Sequence, residues 1–142
     1  MGEALKQAQY AFEEGEVPVG AVVVCENRII SRAYNQVERL QDVTAHAEML
    51  AITAAQDFLG AKYLQKCSLY VTLEPCTMCL GAIKQARIST IVFGAHDAER
   101  GACGSIYDLS LDSRVGPVPK VITGVREAES VALLQGFFKA KR

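Results

Sequence analysis

Two short fragments of this chain, His46-Ala47-Glu48 and Pro75-Cys76-Thr77-Met78-Cys79, carry residue types that can bind a metal and move a proton. They supply one imidazole, two potential thiolates and a carboxylate that is not needed as a ligand. Zinc sites with three protein ligands keep a coordination position for water, whereas structural sites usually close with four. The pattern therefore points to one Zn2+ held by His46, Cys76 and Cys79, and to hydrolysis rather than a zinc staple. Two thiolates and a neutral imidazole leave such a zinc formally uncharged, so it acidifies its water less than a three-histidine site does. Glu48, beside the metal and not bound to it, is the base that can take the proton and return it to a leaving group.

Plainer readings exist for each piece. A Cys-x-x-Cys pair alone could be a redox dithiol or half of a structural zinc site, and a lone histidine at a helix start is often merely exposed. The conjunction of both fragments favours catalysis. Cys25, Cys67 and Cys103 are the remaining thiols that could close the coordination sphere. Cys25 ends one apolar strand and Cys67 precedes another, so core packing accounts for both. Cys103, in a glycine-rich loop, has no place assigned by the sequence.

The elements that must position these groups follow from periodicity. Thr44 is placed to cap a helix in which Met49, Leu50, Ile52 and Thr53 follow, putting His46 and Glu48 at its first turn. Pro75 suits the first position of a second helix, Thr77 to Ala86, with Cys76 and Cys79 on one side of its opening turn. Both helix N-termini would then aim positive dipole ends at the metal and favour thiolates. Elsewhere, Leu5, Ala8, Ala11 and Phe12 recur at helical spacing until Gly15. Ala21 to Cys25 and Ile29 to Tyr34 read as strands of a hairpin around Glu26-Asn27-Arg28. Strands are expected at Ser68 to Leu73, Thr90 to Gly94 and Val121 to Gly124. A loop from Ala95 to Gly104 and a short helical turn separate the last two. Glu127 to Lys141 closes as a helix with Val131, Leu134, Phe137 and Phe138 inward. This α-β-β-α-β-α-β-β-α order predicts an α/β protein, a three-layer α/β/α sandwich whose later strands are parallel.

Composition narrows the class. The 142 residues are 50% apolar and 22% charged, which suits a single globular domain over residues 1–142 with a sizeable core. Five cysteines, an odd number with two assigned to a metal, suit a reducing compartment rather than a disulfide framework, and a cytoplasmic location is expected. The longest apolar run, Val17 to Cys25, is too short to span a bilayer, so no membrane partner is expected. Met1 to Lys6 reads as the start of an amphipathic helix rather than as a signal peptide. A net charge of −1 advertises no overall nucleic-acid field. Basic residues do gather at Lys139, Lys141 and Arg142, and at Lys84 and Arg87. Each group is explained at least as well by charge complementarity at a helix C-terminus.

With these residues in view, the chain resembles the cytidine/deoxycytidylate deaminase superfamily, and within it the bacterial tRNA-specific adenosine deaminases. The resemblance runs through Gly15 to Ala21, Thr44 to Glu48, Leu69 to Cys79, Phe93-Gly94-Ala95 with Asp97, and Gly101-Ala102 with Gly104-Ser105. The zinc motif marks the superfamily; Thr72-Leu73-Glu74-Pro75-Cys76 and the loop after Phe93 select the tRNA enzymes. The resemblance implies a cytidine deaminase-like fold with a mixed five-stranded sheet. It implies hydrolysis of the wobble adenosine of a tRNA anticodon to inosine, zinc-bound hydroxide attacking C6 with Glu48 as proton shuttle. It further implies Asn35 and Ala45 at the target nucleoside, the tRNA anticodon stem-loop as partner with no role for DNA, and a homodimer. A turn role after a strand is the alternative for Asn35. A deaminase of a free base or nucleotide, such as guanine, cytidine or deoxycytidylate, would use the same zinc and glutamate. A non-catalytic zinc-stabilised binding module would have no use for Glu48. The chain departs from the family pattern at His96, where arginine is common, and across Leu109 to Val121.

Overall fold

Apolar residues at helical spacing draw the N-terminus into α1 (Gly2–Glu13), which buries Ala4, Leu5, Ala8 and Ala11. The computed structural model describes residues 1–141; Arg142, counted above among the basic residues, lies outside them. The buried stripe of α1 is mostly alanine because the helix lies directly on β1 (Gly20–Cys25). A β-carbon on Gly20 would run into the backbone of Ala4 and Ala8. Glu26 and Asn27, at φ 52° and 64°, turn the chain into β2 (Arg28–Tyr34). Successive left-handed residues are what a two-residue hairpin requires.

A short helix, α2 (Val37–Leu40), was not foreseen from the pattern. It is held from a distance. The buried Glu16 carboxylate accepts the N–H groups of Glu38 and Arg39 at 3.0 and 2.8 Å, so a residue more than twenty positions upstream supplies its N-terminal cap. Next come α3 (Ala47–Leu59), β3 (Cys67–Leu73), α4 (Thr77–Gln85) and β4 (Thr90–Ala95). Two 3-10 turns, Leu109–Leu111 and Ser113–Val115, then lead to β5 (Lys120–Ile122) and α5 (Glu127–Ala140).

The described residues form one mixed sheet in the order β2-β1-β3-β4-β5. β1 runs antiparallel to β2 and β3, while β3, β4 and β5 are parallel; α4 makes the crossover from β3 to β4, and the long segment with the two 3-10 turns makes the one from β4 to β5. Helices α1 and α5 pack on one face and α3 and α4 on the other, giving the three-layer α/β/α arrangement. The core between sheet and metal-side helices includes Ala51, Ile52, Leu69, Val71, Leu80, Ile83 and Phe93. On α3 the buried stripe is Ala47, Ala51, Ile52 and Ala55, and Thr53 faces outward.

Three expectations change. The last strand is Lys120–Ile122 rather than Val121 to Gly124, because Gly124, at φ 75°, turns the chain out of the sheet. Phe138 does not point inward: it is 50% exposed, whereas Phe137 is buried and Val131 and Leu134 are half-buried. Neighbouring helix positions diverge by about 100°, so only one of two adjacent phenylalanines can face the sheet. Lys84 is neither a helix cap nor part of a basic patch. It is 1% exposed, and its Nζ donates to the carbonyls of Ser110, Asp112, Gly116 and Pro117 at 3.0 to 3.3 Å. Arg87 stays at the surface, its guanidinium 4.1 Å from the Tyr63 ring centroid.

Candidate metal centre

Two helices begin at the same place in space. His46 is the N-cap of α3 and Cys76 the N-cap of α4, both with extended backbone, and Cys79 follows in the first turn of α4. Strand β3 leads into α4 and β2, by way of α2, into α3; both strands run antiparallel to β1 and so end at the same edge of the sheet, the customary place for sites in open α/β sheets. Thr44 does not cap α3. Its N–H and hydroxyl both donate to Asp42 Oδ1, at 2.8 and 2.7 Å, which leaves His46 in the cap position. Nor is Pro75 the first helical residue; it lies outside the cap, and its carbonyl accepts the Ala102 N–H at 2.9 Å.

His46 Nδ1 lies 3.4 Å from Cys79 Sγ and 3.7 Å from Cys76 Sγ, and the candidate ligand atoms all fall within 4.8 Å of one another. Tetrahedral zinc with ordinary bond lengths sets S···N edges of about 3.6 Å, so the spacing fits that ion without rearrangement. Cys103 does not join this group among the described residues. Burial pushes its thiol up to about 12, and it packs in the core. The set is therefore three donors with no sulfur at a fourth corner.

The electrostatics fit a cation as well. Hydrogen bonding from the Cys79 thiol, with help from His46, draws the Cys76 thiol down to about 4. The same sharing pushes Cys79 up, reinforced by burial and by the Glu48 charge. His46 is raised by its hydrogen bond to Cys76. The protein alone thus favours one thiolate and resists a second beside it. A divalent cation removes that resistance, since metal ligation requires both sulfurs deprotonated.

Glu48 sits in the first turn of α3, 4% exposed. Burial drives its carboxyl up to about 7, against hydrogen bonds from its own N–H and from Cys79. A carboxyl poised there can both accept and release a proton near neutral pH. Asn35 and Ala45 lie outside the metal group. The Gln36 N–H donates to the carbonyl of Ala45 at 3.0 Å, tying the end of β2 to the residue before His46. The Asn35 amide donates to the Val17 carbonyl at 3.2 Å and accepts the Val37 N–H at 3.4 Å, leaving one donor and one acceptor free.

Besides Glu48, three charged side chains are buried among the described residues: Glu16, Glu74 and Lys84. Glu74, two residues before Cys76, was read only as motif context. Lys84 was read as a surface cation, although it shares the buried stripe of Leu80 and Ile83, and that spacing was the available signal.

The family described as the cytidine and deoxycytidylate deaminase zinc-binding region matches residues 1–95. A Bacillus subtilis protein named tRNA-specific adenosine deaminase is 45% identical over 142 residues, covering all of this chain and 88% of that protein. A solved structure from biochemical and structural studies of A-to-I editing by tRNA deaminases at the wobble position of transfer RNA superposes with a TM-score of 0.88. It is 43% identical, over 94% of this chain and 97% of that one. A structure of guanine deaminase from Nitrosomonas europaea superposes at 0.78 with 25% identity, over 96% of this chain and 81% of that one.

Proposed function

This chain belongs to the cytidine and deoxycytidylate deaminase family, and from that premise we propose that it hydrolyses the wobble adenosine of a tRNA anticodon to inosine, releasing ammonia. The observation that carries the hydrolytic reading is a buried carboxyl, Glu48, beside a His/Cys/Cys set that does not need it. Zinc held by His46, Cys76 and Cys79 would supply an acidified water as nucleophile.

The remaining chemistry belongs to the chain. Glu48 receives one proton of the water as the water oxygen bonds to C6 and delivers it to N1 of the adenine; it then takes the other from the new C6 hydroxyl and passes it to the amine as the C6–N6 bond breaks. Water and adenosine become inosine and ammonia, and Glu48 ends as it began. Its raised affinity for a proton suits both halves of the cycle. Asn35 offers its free amide valences to the nucleoside, and Ala45, 1% exposed, keeps the wall beside His46 small and dry.

The target base must leave its stack to reach such a pocket, which costs little in an unpaired anticodon loop. Recognition of loop RNA relies on splayed bases and shape, so a net charge of −1 does not oppose it. The proposal extends to a cytoplasmic homodimer built of single-domain subunits. The exposed Leu111, Val115 and Val118 supply apolar surface for a second subunit to cover. Among the described residues no helix is long and apolar enough to cross a membrane.

The alternative is a free-base deaminase, favoured by the 0.78 superposition on guanine deaminase. The 45% identity over the whole chain to a protein named for tRNA weighs against it. The test is inosine formation and ammonia release from an anticodon stem-loop with adenosine at the wobble position, run beside guanine, cytidine and deoxycytidylate. Turnover of the stem-loop alone is expected. Efficient turnover of a free base with none on RNA would overturn the assignment.

A further inference from the structure

We propose that Glu74 is a positioning residue, whose buried carboxylate fixes the loop of residues 96–107 against the metal-ligating turn and so sets the rim over which RNA enters. This inference rests on the tRNA reading of the site. The Glu74 side chain is fully buried, and its two oxygens gather donors from one loop only. Oε1 accepts the Asp97 N–H at 3.0 Å and the Ser105 hydroxyl, while Oε2 accepts the N–H groups of Cys103 and Ser105 at 2.9 and 3.2 Å. His96 Nδ1 stands 3.5 Å from Oε1. Gly101 is pressed so closely on the carboxylate that a β-carbon there would overlap it.

The loop is thereby laid along the metal turn. Gly101 bridges to Cys76, the Ala102 N–H donates to the Pro75 carbonyl, and the Tyr107 hydroxyl pairs with Thr77 Oγ1. What the loop exposes is the side chains of Ile106, of Tyr107 next to Thr77, and of Arg100, whose charge reaches His46. Stacking faces and cations are the groups that unpaired RNA engages. None of them is anchored by its own burial. The anchor lies beneath them, in one carboxylate whose acceptors match the donors of the loop.

Glutamine is nearly the same size but must turn its amide NH2 toward N–H donors on one side, so Glu74→Gln breaks half of this pattern. The expected result is faster amide hydrogen exchange at Asp97, Cys103 and Ser105, and faster tryptic cleavage after Arg100. Alongside these, KM for the stem-loop should rise by roughly tenfold or more, with kcat little changed and zinc content unaltered. Should that variant fail to fold, Ser105→Ala removes the hydroxyl donor to Oε1, keeps the carboxylate and the backbone N–H contact, and should move KM in the same direction by a smaller factor. Unchanged exchange in a folded Glu74→Gln protein overturns the proposal. So does a loss of zinc and kcat at constant KM, which would make Glu74 a support for the metal turn alone. A wild-type protein inactive on the stem-loop sinks the proposed function, while the exchange measurement still decides the anchor.

Discussion

Glu48 and Glu74 are both buried carboxyls beside the same metal turn, yet they face opposite surroundings. Glu48 has little but its own N–H and a cysteine side chain for company, and burial lifts it to about 7. Burial would raise Glu74 too, but the Ser105 hydroxyl and the N–H groups of Asp97, Cys103 and Ser105 outweigh it and leave the carboxyl below its ordinary value. A carboxylate saturated with donors stays ionised and holds structure; one starved of donors exchanges protons. Lys84 completes the contrast with the opposite sign. Its ammonium gathers four carbonyls of the 110–117 segment as Glu74 gathers the N–H groups of the loop before it.

The sharpest break in this comparison comes from the metal. Cys79→Ala, or removal of zinc by a chelator, should reduce turnover to background, because Glu48 then has no acidified water to deprotonate; metal analysis alongside an inosine assay checks this. Zinc affinity should also fall as pH is lowered, since protons compete for Cys76, Cys79 and His46 and binding releases them. A titration in which affinity is flat across about pH 6 to 8 would contradict the thiolate ligand set.

Next in size is Glu48→Gln. Loss of a general acid–base should lower kcat by roughly 10² to 10⁴ while zinc content and thermal midpoint hold. A loss within threefold would erase the distinction between the two glutamates. Smaller again is Lys84→Met, which keeps the stem but leaves buried carbonyls unpaired. It should cost about 1–3 kcal/mol of stability, read in urea, with zinc content preserved. The smallest effect is expected at Asn35→Ala: roughly tenfold in kcat/KM if its free amide valences meet the nucleoside. A change in stability with no change in kcat/KM would return Asn35 to its turn role.

The order of elements and the parallel half of the sheet were legible because apolar spacing and strand–helix–strand alternation are local signals. So was the grouping of His46, Cys76 and Cys79, since their side-chain chemistry and short spacing announce a common ion before any coordinates. Thr44 was misjudged because Asp42, two residues away, competes for its donors. Phe138 was misjudged because adjacent apolar residues cannot share one helix face.

By itself, then, the sequence determined which atoms could bind a metal, which carboxyl was left over, and which layers would carry them, because these depend on residue type and short-range period. Only the tertiary structure decided that Glu16 caps α2, that Lys84 is buried, and that Glu74 braces the rim of the site. Each of those roles is a hydrogen bond between residues 22 to 33 positions apart. Whether a buried charge is satisfied depends on backbone groups delivered from elsewhere in the chain, and no pattern near the charged residue records their arrival.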